Sequence, residues 1–529
     1  MNDAPFNLSI DDRRLAERSR AHLERVVAID SQSDENSASI PSTPGQKELA
    51  DFVGEFFERQ GARVERDDYA NVIATIEGRG VGAAKPPVAM MVHLDTSKGT
   101  ANPPRLEMIE AWDGSRIPFP ANDRLWVDVE TYPATREYLG HDILFGPGTA
   151  PVGLDDKLGL AHLMSLVEVL AEHPDLPHPP LVLIGRPDEE IGRHAAVESL
   201  SRLLAERGVT FGFTIDGFLP YEANVANFNA SQAGVTFPPT ALPGAPVTGR
   251  LIPVTIHGVT THGCTAREEG YRSATRLGTE VLTRLEDAGL VPAKVAPVSF
   301  VTSDERECNA ELGFLVADAE AEAALSAALE AVVTPHQRRG ASWSVSPARP
   351  APASVDGATL QMLHFVGDFI ASDPGFVLLS EDSSDDEGYS NPYRALPLDT
   401  GGLRLDVRLR DFSEEGLRRR EEHVSRLAAE RSLDCTVTQQ YVNMAPRMKD
   451  HPYLVDLPRR AAALVGAEVR VRPIRGGTGV DPFLDQGIPI ANLGTGYFAL
   501  ESEKEFTSMQ YLAGHCRWLA ALLQVIATS

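Results

Sequence analysis

Only four cysteines, Cys264, Cys308, Cys435 and Cys516, occur in 529 residues, and their wide scatter gives no paired spacing. That excludes a disulfide framework and a cysteine-built zinc site, so the thiols are expected to be reduced. No stretch approaches the ~20 consecutive apolar residues that a membrane-spanning helix needs. The opening Met1-Asn-Asp-Ala-Pro5 has neither a basic nor an apolar run of the kind that directs export. A cytoplasmic protein without a membrane partner is expected. Positive charge is also scarce: 49 Lys and Arg stand against 75 Asp and Glu, a net charge of -26. That balance argues against nucleic acid or an anionic membrane as a partner.

What is present is an ordinary globular composition, 43% hydrophobic and 23% charged, in a chain too long for one hydrophobic core. Two domains are expected. Along it run five acidic motifs: His93-Leu-Asp95, Asp155-Asp156-Lys157, Glu189-Glu190, Asp216-Gly217 and Glu501-Ser-Glu-Lys-Glu505. Three of them end apolar runs: Ala89–Val92 leads into His93, Leu181–Ile184 precedes Glu189, and Phe211–Ile215 delivers Asp216. Active sites of open α/β sheets are built at the carboxyl ends of such buried strands. Carboxylates placed there are costly to desolvate unless a cation or a donor meets them. No matching cluster of Lys or Arg lies nearby in the sequence, and the arrangement suggests a hydrolase with two metal ions.

The spacing predicts helices over 11–28 and 45–60, strands near Arg63 and Val72, and a long irregular stretch from Lys98 to Gly148. A helix follows over 158–172, for which Asp155 or Asp156 could be the N-cap. Beyond the Pro-rich segment 237–246 the pattern changes. Strands at 251–256 and 311–316 with helices at 271–288 and 319–333 form one cycle. Helices at 359–370 and 414–431 with strands at 403–409 and 435–441 form another. The last segment returns to the first style, with a helix over 453–465, strands at 469–471 and 488–493, and a helix over 512–526. The expected fold is α/β: a mostly parallel mixed sheet with helices on both faces, interrupted by an α+β lid of ferredoxin-like β-α-β halves. The expected boundaries are 1–240 and 446–529 for the discontinuous catalytic domain, and 241–445 for the lid.

On residue chemistry alone, His93 is either a metal ligand with Asp95 holding its other ring nitrogen, or a satisfied histidine at a strand end. In Pro187-Asp-Glu-Glu190, one glutamate can bind metal while its neighbour stands free as a general base, or the pair belongs to a solvated loop.

Taken in order, eight segments closely resemble the peptidase T group of metallopeptidase family 20, the dinuclear zinc exopeptidases. They are 93–96, 153–157, 187–193, 214–217, 261–266, 408–412, 473–478 and 492–498, and the N-terminal Pro41-Ser-Thr-Pro-Gly45 extends the match. The resemblance implies that His93 and Asp216 hold one ion, Asp155 bridges two, and Glu190 binds the second. It makes Asp95 the orienter of His93 and Glu189 the base that deprotonates a water shared by the ions. It assigns His262 to oxyanion stabilisation and Arg410 to the substrate carboxylate.

Two departures stand out. Glu501 occupies the position of the family's last metal-binding histidine, which would either leave the second site with oxygen ligands only and shift it from zinc toward Mn, Co or Mg, or leave that site empty. In Gly476-Gly-Thr-Gly-Val-Asp481, a glycine follows the Thr where the family pattern has an Asp, and Asp481 could serve in its stead. The doubled lid resembles that of the aminoacyl-histidine dipeptidases, in which a second half takes the place of a dimer partner. The expectation is therefore a metal-dependent aminopeptidase or dipeptidase for short peptides, a monomer or a dimer with independent sites. The alternatives are an amidohydrolase of N-acylated amino acids and a catalytically silent binding protein.

Overall fold

The computed structural model describes residues 6, 8–246, 249–303, 307–352, 355–372 and 387–529. They divide into two compact units, one of residues 1–122, 135–227 and 443–529, the other of residues 123–134 and 228–442.

The first unit is built on an eight-stranded mixed sheet. Its order is Arg63–Arg66, Val72–Ile76, Leu181–Arg186, Val88–His93, Phe211–Gly217, Ile490–Gly494, Glu222–Asn224, Arg470–Val471. The four central strands, from Leu181–Arg186 to Ile490–Gly494, run parallel. Val88–His93 and Leu181–Arg186 are buried at every position, the continuous apolar pattern expected of parallel strands covered by helices. The helices Asp12–Val27, Leu154–Glu172 and Met509–Thr528 pack together, so the last segment of the chain completes both the sheet and the helical layer begun by the first. Among the described residues, no helix is long and apolar enough to cross a membrane.

The stretch read as irregular from Lys98 to Gly148 contains structure. Glu107–Ile109 and Ile143–Phe145 join Phe506–Ser508 and Tyr497–Phe498 in a small antiparallel sheet. Strands of two or three residues carry too little alternation to be seen in the sequence.

The second unit holds two antiparallel sheets around one hydrophobic core. In the first, strands Arg250–His257, Val295–Thr302, Asn309–Val316 and Ser342–Val345 alternate with helices Ala274–Asp287 and Ala319–Val333 in the order β-α-β-β-α-β. Taking these four strands as first to fourth along the chain, their order across the sheet is second, third, first, fourth, and a fifth, two-residue strand, Arg349–Pro350, also pairs with the first. The other sheet repeats this four-strand order with strands Asn229–Phe237, Tyr389–Pro397, Leu403–Asp411 and Asp434–Tyr441 and helices Ala358–Ser372 and Glu414–Glu430. Both are ferredoxin-like, as expected. The first is nested inside the second, between its first strand and its first helix. Several strands of this unit escaped the sequence reading, among them Val295–Thr302 and Tyr389–Pro397. Each of these two contains a proline at or beside a register shift, at Pro297 and Pro392, and proline within a run argues against a strand.

Candidate metal centre

Each acidic motif in the first unit is delivered by a distinct local device. Strand Val88–His93 ends on His93, which is 2% exposed. Its Nε2 lies 2.7 Å from Asp155 Oδ1 and 3.4 Å from Asp216 Oδ1. The nearest partner of its Nδ1 is the backbone carbonyl of Asp95 at 2.9 Å, with the Asp95 carboxylate at 3.5 Å. An imidazole that donates from Nδ1 to a carbonyl has Nε2 left as the ligating atom.

The fully buried Asp95 carboxylate also fixes the glutamate loop. Its Oδ1 accepts from the Glu189 N–H at 2.9 Å and its Oδ2 from the Glu190 N–H at 3.1 Å. That loop is gripped from its other side at Asp188, whose backbone is left-handed at φ 53°. Asp188 accepts from Ser42 N, Ser42 Oγ and Gln46 Nε2 at 2.8, 2.5 and 2.7 Å, and its own N–H donates to Gln46 Oε1 at 3.0 Å. The N-terminal motif around Pro41–Gly45 therefore works as a clamp on the glutamate loop.

Neither Asp155 nor Asp156 acts as the helix cap that the sequence alone allowed. Helix Leu154–Glu172 is preceded by Gly153 without a side-chain cap, and both aspartates have non-helical backbone angles. The acceptor at this end is Glu505, whose Oε2 takes the N–H groups of Val152 and Gly153 at 2.8 and 3.0 Å. Asp156 instead accepts the His93 N–H at 3.1 Å through Oδ2. Gly159 is required one turn later: a Cβ there would come 2.0 Å from the Ile215 carbonyl oxygen and 2.1 Å from Asp156 Oδ1. On the strand beneath, Asp216 N–H donates to Asn492 Oδ1 at 3.2 Å.

Among the described residues, two sets of three side chains have the composition and spacing to hold a metal ion, His93 with Asp155 and Glu190, and His93 with Asp156 and Asp216, the ligand atoms of each set within 4.8 Å of one another. Glu501 falls in neither set, although its charge raises Asp155 and Glu190. Glu190 Oε1, Asp156 Oδ1 and the Tyr497 hydroxyl are buried with no hydrogen-bond partner among the described residues. Carboxylate oxygens crowded together and left without donors fit divalent cations and little else. Sequence reasoning missed Asp156 as a member of the cluster, and it missed Arg186, whose Nη2 lies 3.1 Å from Glu189 Oε1. Asp481 pairs with Arg447 and opens the helix Asp481–Asp485.

Burial pushes Asp155, Asp156 and Glu190 well above the usual carboxylate range, and neighbouring carboxylates add to it. Burial likewise pushes Glu505 up to about 8, against the pull of the amides it accepts from. For His93, burial favours the neutral ring, but the charge of Asp216 and the bonds to Asp155, Asp216 and Asp95 outweigh it and hold the ring well above its ordinary value. In metal-free protein these groups keep protons that the unfolded chain releases above pH 3.8 to 4.5 for the acids and 6.5 for His93. Their contribution to stability is therefore full below those values and is lost as pH rises. The melting temperature of the chelated protein is expected to fall between pH 5 and about 8, the range set at its upper end by Glu505, because the raised groups outnumber the buried His162, His515 and Lys157, whose lowered values act in the opposite direction. A saturating divalent ion should remove most of that fall. Calorimetry at several pH values checks it, and a melting temperature that rises over this window without metal contradicts it.

In the second unit, His262 Nδ1 accepts from Cys264 N–H at 3.2 Å, so its proton sits on Nε2. Arg410 is 8% exposed, and its Nη1 donates to the Ser231 and Leu409 carbonyls at 3.1 and 3.0 Å while the guanidinium lies over the Tyr441 ring at 5.3 Å.

The model of Peptidase family M20/M25/M40 matches residues 119–525, a range that holds Asp155, Glu189, Glu190 and Asp216 but not His93 or Asp95. Peptidase T of Staphylococcus carnosus is 34% identical over 215 residues, 40% of this chain, and the match spans about half of that relative, 51%. Peptidase T of Vibrio parahaemolyticus is 24% identical over 502 residues, covering 92% of this chain and 93% of its own. The fold is similar to that of a tripeptidase from Staphylococcus aureus, with a TM-score of 0.53 at 16% identity, over 97% of this chain and 99% of that one. Most of the length of the chain, including four of the acidic residues drawn together at the strand ends, thus falls under one family description, and the chain belongs to Peptidase family M20/M25/M40, a family of hydrolases.

Proposed function

We propose that the protein is a metal-dependent exopeptidase that hydrolyses short peptides, with Glu189 as its general base. The observation that carries this reading is the cluster of His93, Asp155, Asp156, Glu190 and Asp216 around oxygens that lack donors. Glu189 stands beside it, its backbone fixed by Asp95.

His93, Asp155, Glu190 and Asp216 would hold two divalent ions, zinc in the first site. Bound there, such ions acidify a water toward neutral pH and polarise the scissile carbonyl. Glu189 takes the proton of the attacking water and returns it to the leaving amine. Burial raises its carboxyl above the ordinary value, against the pull of Arg186, which suits a group that must hold that proton for part of the cycle. His262 Nε2–H is a donor for the developing oxyanion, and Arg410, with Nη1 tied to the backbone, offers the rest of its fork to the substrate carboxylate. The proposal includes a monomer or a dimer whose sites work independently.

A panel of free tripeptides, dipeptides and N-acylated amino acids, assayed with Zn, Mn, Co and Mg, tests the reading. Release of an N-terminal residue from unblocked peptides is expected. A preference for N-acylated amino acids would make the protein an amidohydrolase instead, and binding without turnover would make it a silent member of the fold.

Glu501 is the proposed remaining ligand of the second ion. Its left-handed backbone, φ 51°, sits in the tight turn that also carries Glu505. Four carboxylates around two ions leave less positive charge to acidify a water than a site with a neutral histidine. Glu501→His is expected to raise zinc affinity at that site, and Glu501→Ala to lower bound metal toward one ion per chain. Unchanged metal content and activity in both variants would place Glu501 outside the ligand set.

A further inference from the structure

We propose that Arg186 is a positioning residue that locks Glu189 to the glycine-rich turn at Thr478-Gly479. The inference rests on the assignment of Glu189 as the base. Arg186 ends the buried strand Leu181–Arg186, three residues before Glu189, and is 3% exposed. An arginine at a strand end would be read from sequence as a solvated charge; here its Nη2 donates to Glu189 Oε1 at 3.1 Å and to the Thr478 carbonyl at 3.2 Å. One nitrogen thus bridges the side chain that moves the proton and the backbone of a turn contributed by a distant part of the chain.

The turn is shaped around this bridge. Gly479 has φ +58°, and a Cβ at that position would come 2.8 Å from Arg186 Nη2 and 3.1 Å from Glu189 Oε1. Any larger residue would push the guanidinium off the carboxylate. The two ends of Glu189 are therefore held by different groups, its backbone N–H by Asp95 at 2.9 Å and its carboxylate by Arg186. A buried guanidinium suits this role because it stays charged and presents several donors in a fixed plane. Lysine, a point charge on a flexible stem, cannot reproduce that geometry. A base displaced by about 1 Å is expected to lose on the order of 10²-fold in rate.

Two variants and two readouts test the proposal. In crystals of Arg186→Ala and Arg186→Lys, the Glu189 carboxylate is expected to leave the position it holds beside Thr478, while Asp95, Glu190 and the number of bound ions stay as in the parent protein. In solution both variants should lose about 10- to 100-fold in kcat, with KM within about 2-fold and metal content unchanged. Arg186→Ala placed in a Glu189→Gln background should cost nothing further. A Glu189 side chain that stays in place when Arg186 is replaced overturns the proposal, whatever the substrate proves to be. So does a parental kcat in both variants, or a loss of the same size in the Glu189→Gln background. A parent protein that binds metal but cleaves no peptide counts against the proposed function, and the crystallographic readout still decides the role of Arg186.

Discussion

Glu189→Ala is expected to fold and bind metal as the parent protein does while kcat falls by about 10²- to 10⁴-fold, the usual consequence of removing a general base. The two effects separate because the Glu189 backbone is held by Asp95, and the Asp95 carboxylate bonds to the N–H of Glu189 rather than to its side chain. Glu190, held by the same carboxylate through its own N–H, keeps its place. The proton relay is lost and the ligand set is not. Metal analysis beside steady-state kinetics reads both quantities, and near-parental hydrolysis by this variant would remove Glu189 from the mechanism.

A still larger loss, of metal and turnover together, is expected from Asp155→Ala, for a different reason. Asp155 Oδ1 is 2.7 Å from His93 Nε2, and the carboxylate belongs to the set with Glu190. It is the proposed bridge between both ions, so its removal should empty the centre rather than slow a proton. Bound metal should fall below one ion per chain and turnover should disappear, as it should in the parent protein treated with a chelator. The stability conferred by metal goes with it, about 2.7 kcal/mol at a free ion concentration one hundred times Kd. The variant should therefore melt at the same temperature with and without added divalent ions. A variant that still gains stability from metal and still turns over substrate would show that Asp155 is not the bridge.

Much of the centre was legible because a polar residue at the end of a buried parallel strand must be met by a cation or a donor. His93, Glu189, Glu190 and Asp216 follow apolar runs that the structure forms as strands Val88–His93, Leu181–Arg186 and Phe211–Gly217. Asp156 was hidden because an aspartate before a helix reads as a cap, and only the tertiary structure reveals that Glu505 accepts the helix-end N–H groups instead. Arg186 was hidden because its partners, Glu189 and Thr478, are brought to it by a loop and by a turn nearly three hundred residues away. In the second unit the repeated β-α-β pattern was readable, but the nesting of one half inside the other was not. The strand that opens the outer half, Asn229–Phe237, pairs with Leu403–Asp411 and Asp434–Tyr441, partners separated from it by the whole inner half.

The central claim is that the strand-end cluster holds the metal of an active enzyme. Anomalous diffraction from crystals of catalytically active protein, collected on both sides of the metal absorption edge, measures this directly. The predicted map has two peaks, one in contact with His93 and Asp216 and the other with Glu190, with Asp155 touching both. An active preparation whose metal lies away from His93 and Asp155, or which contains no metal at all, would contradict it.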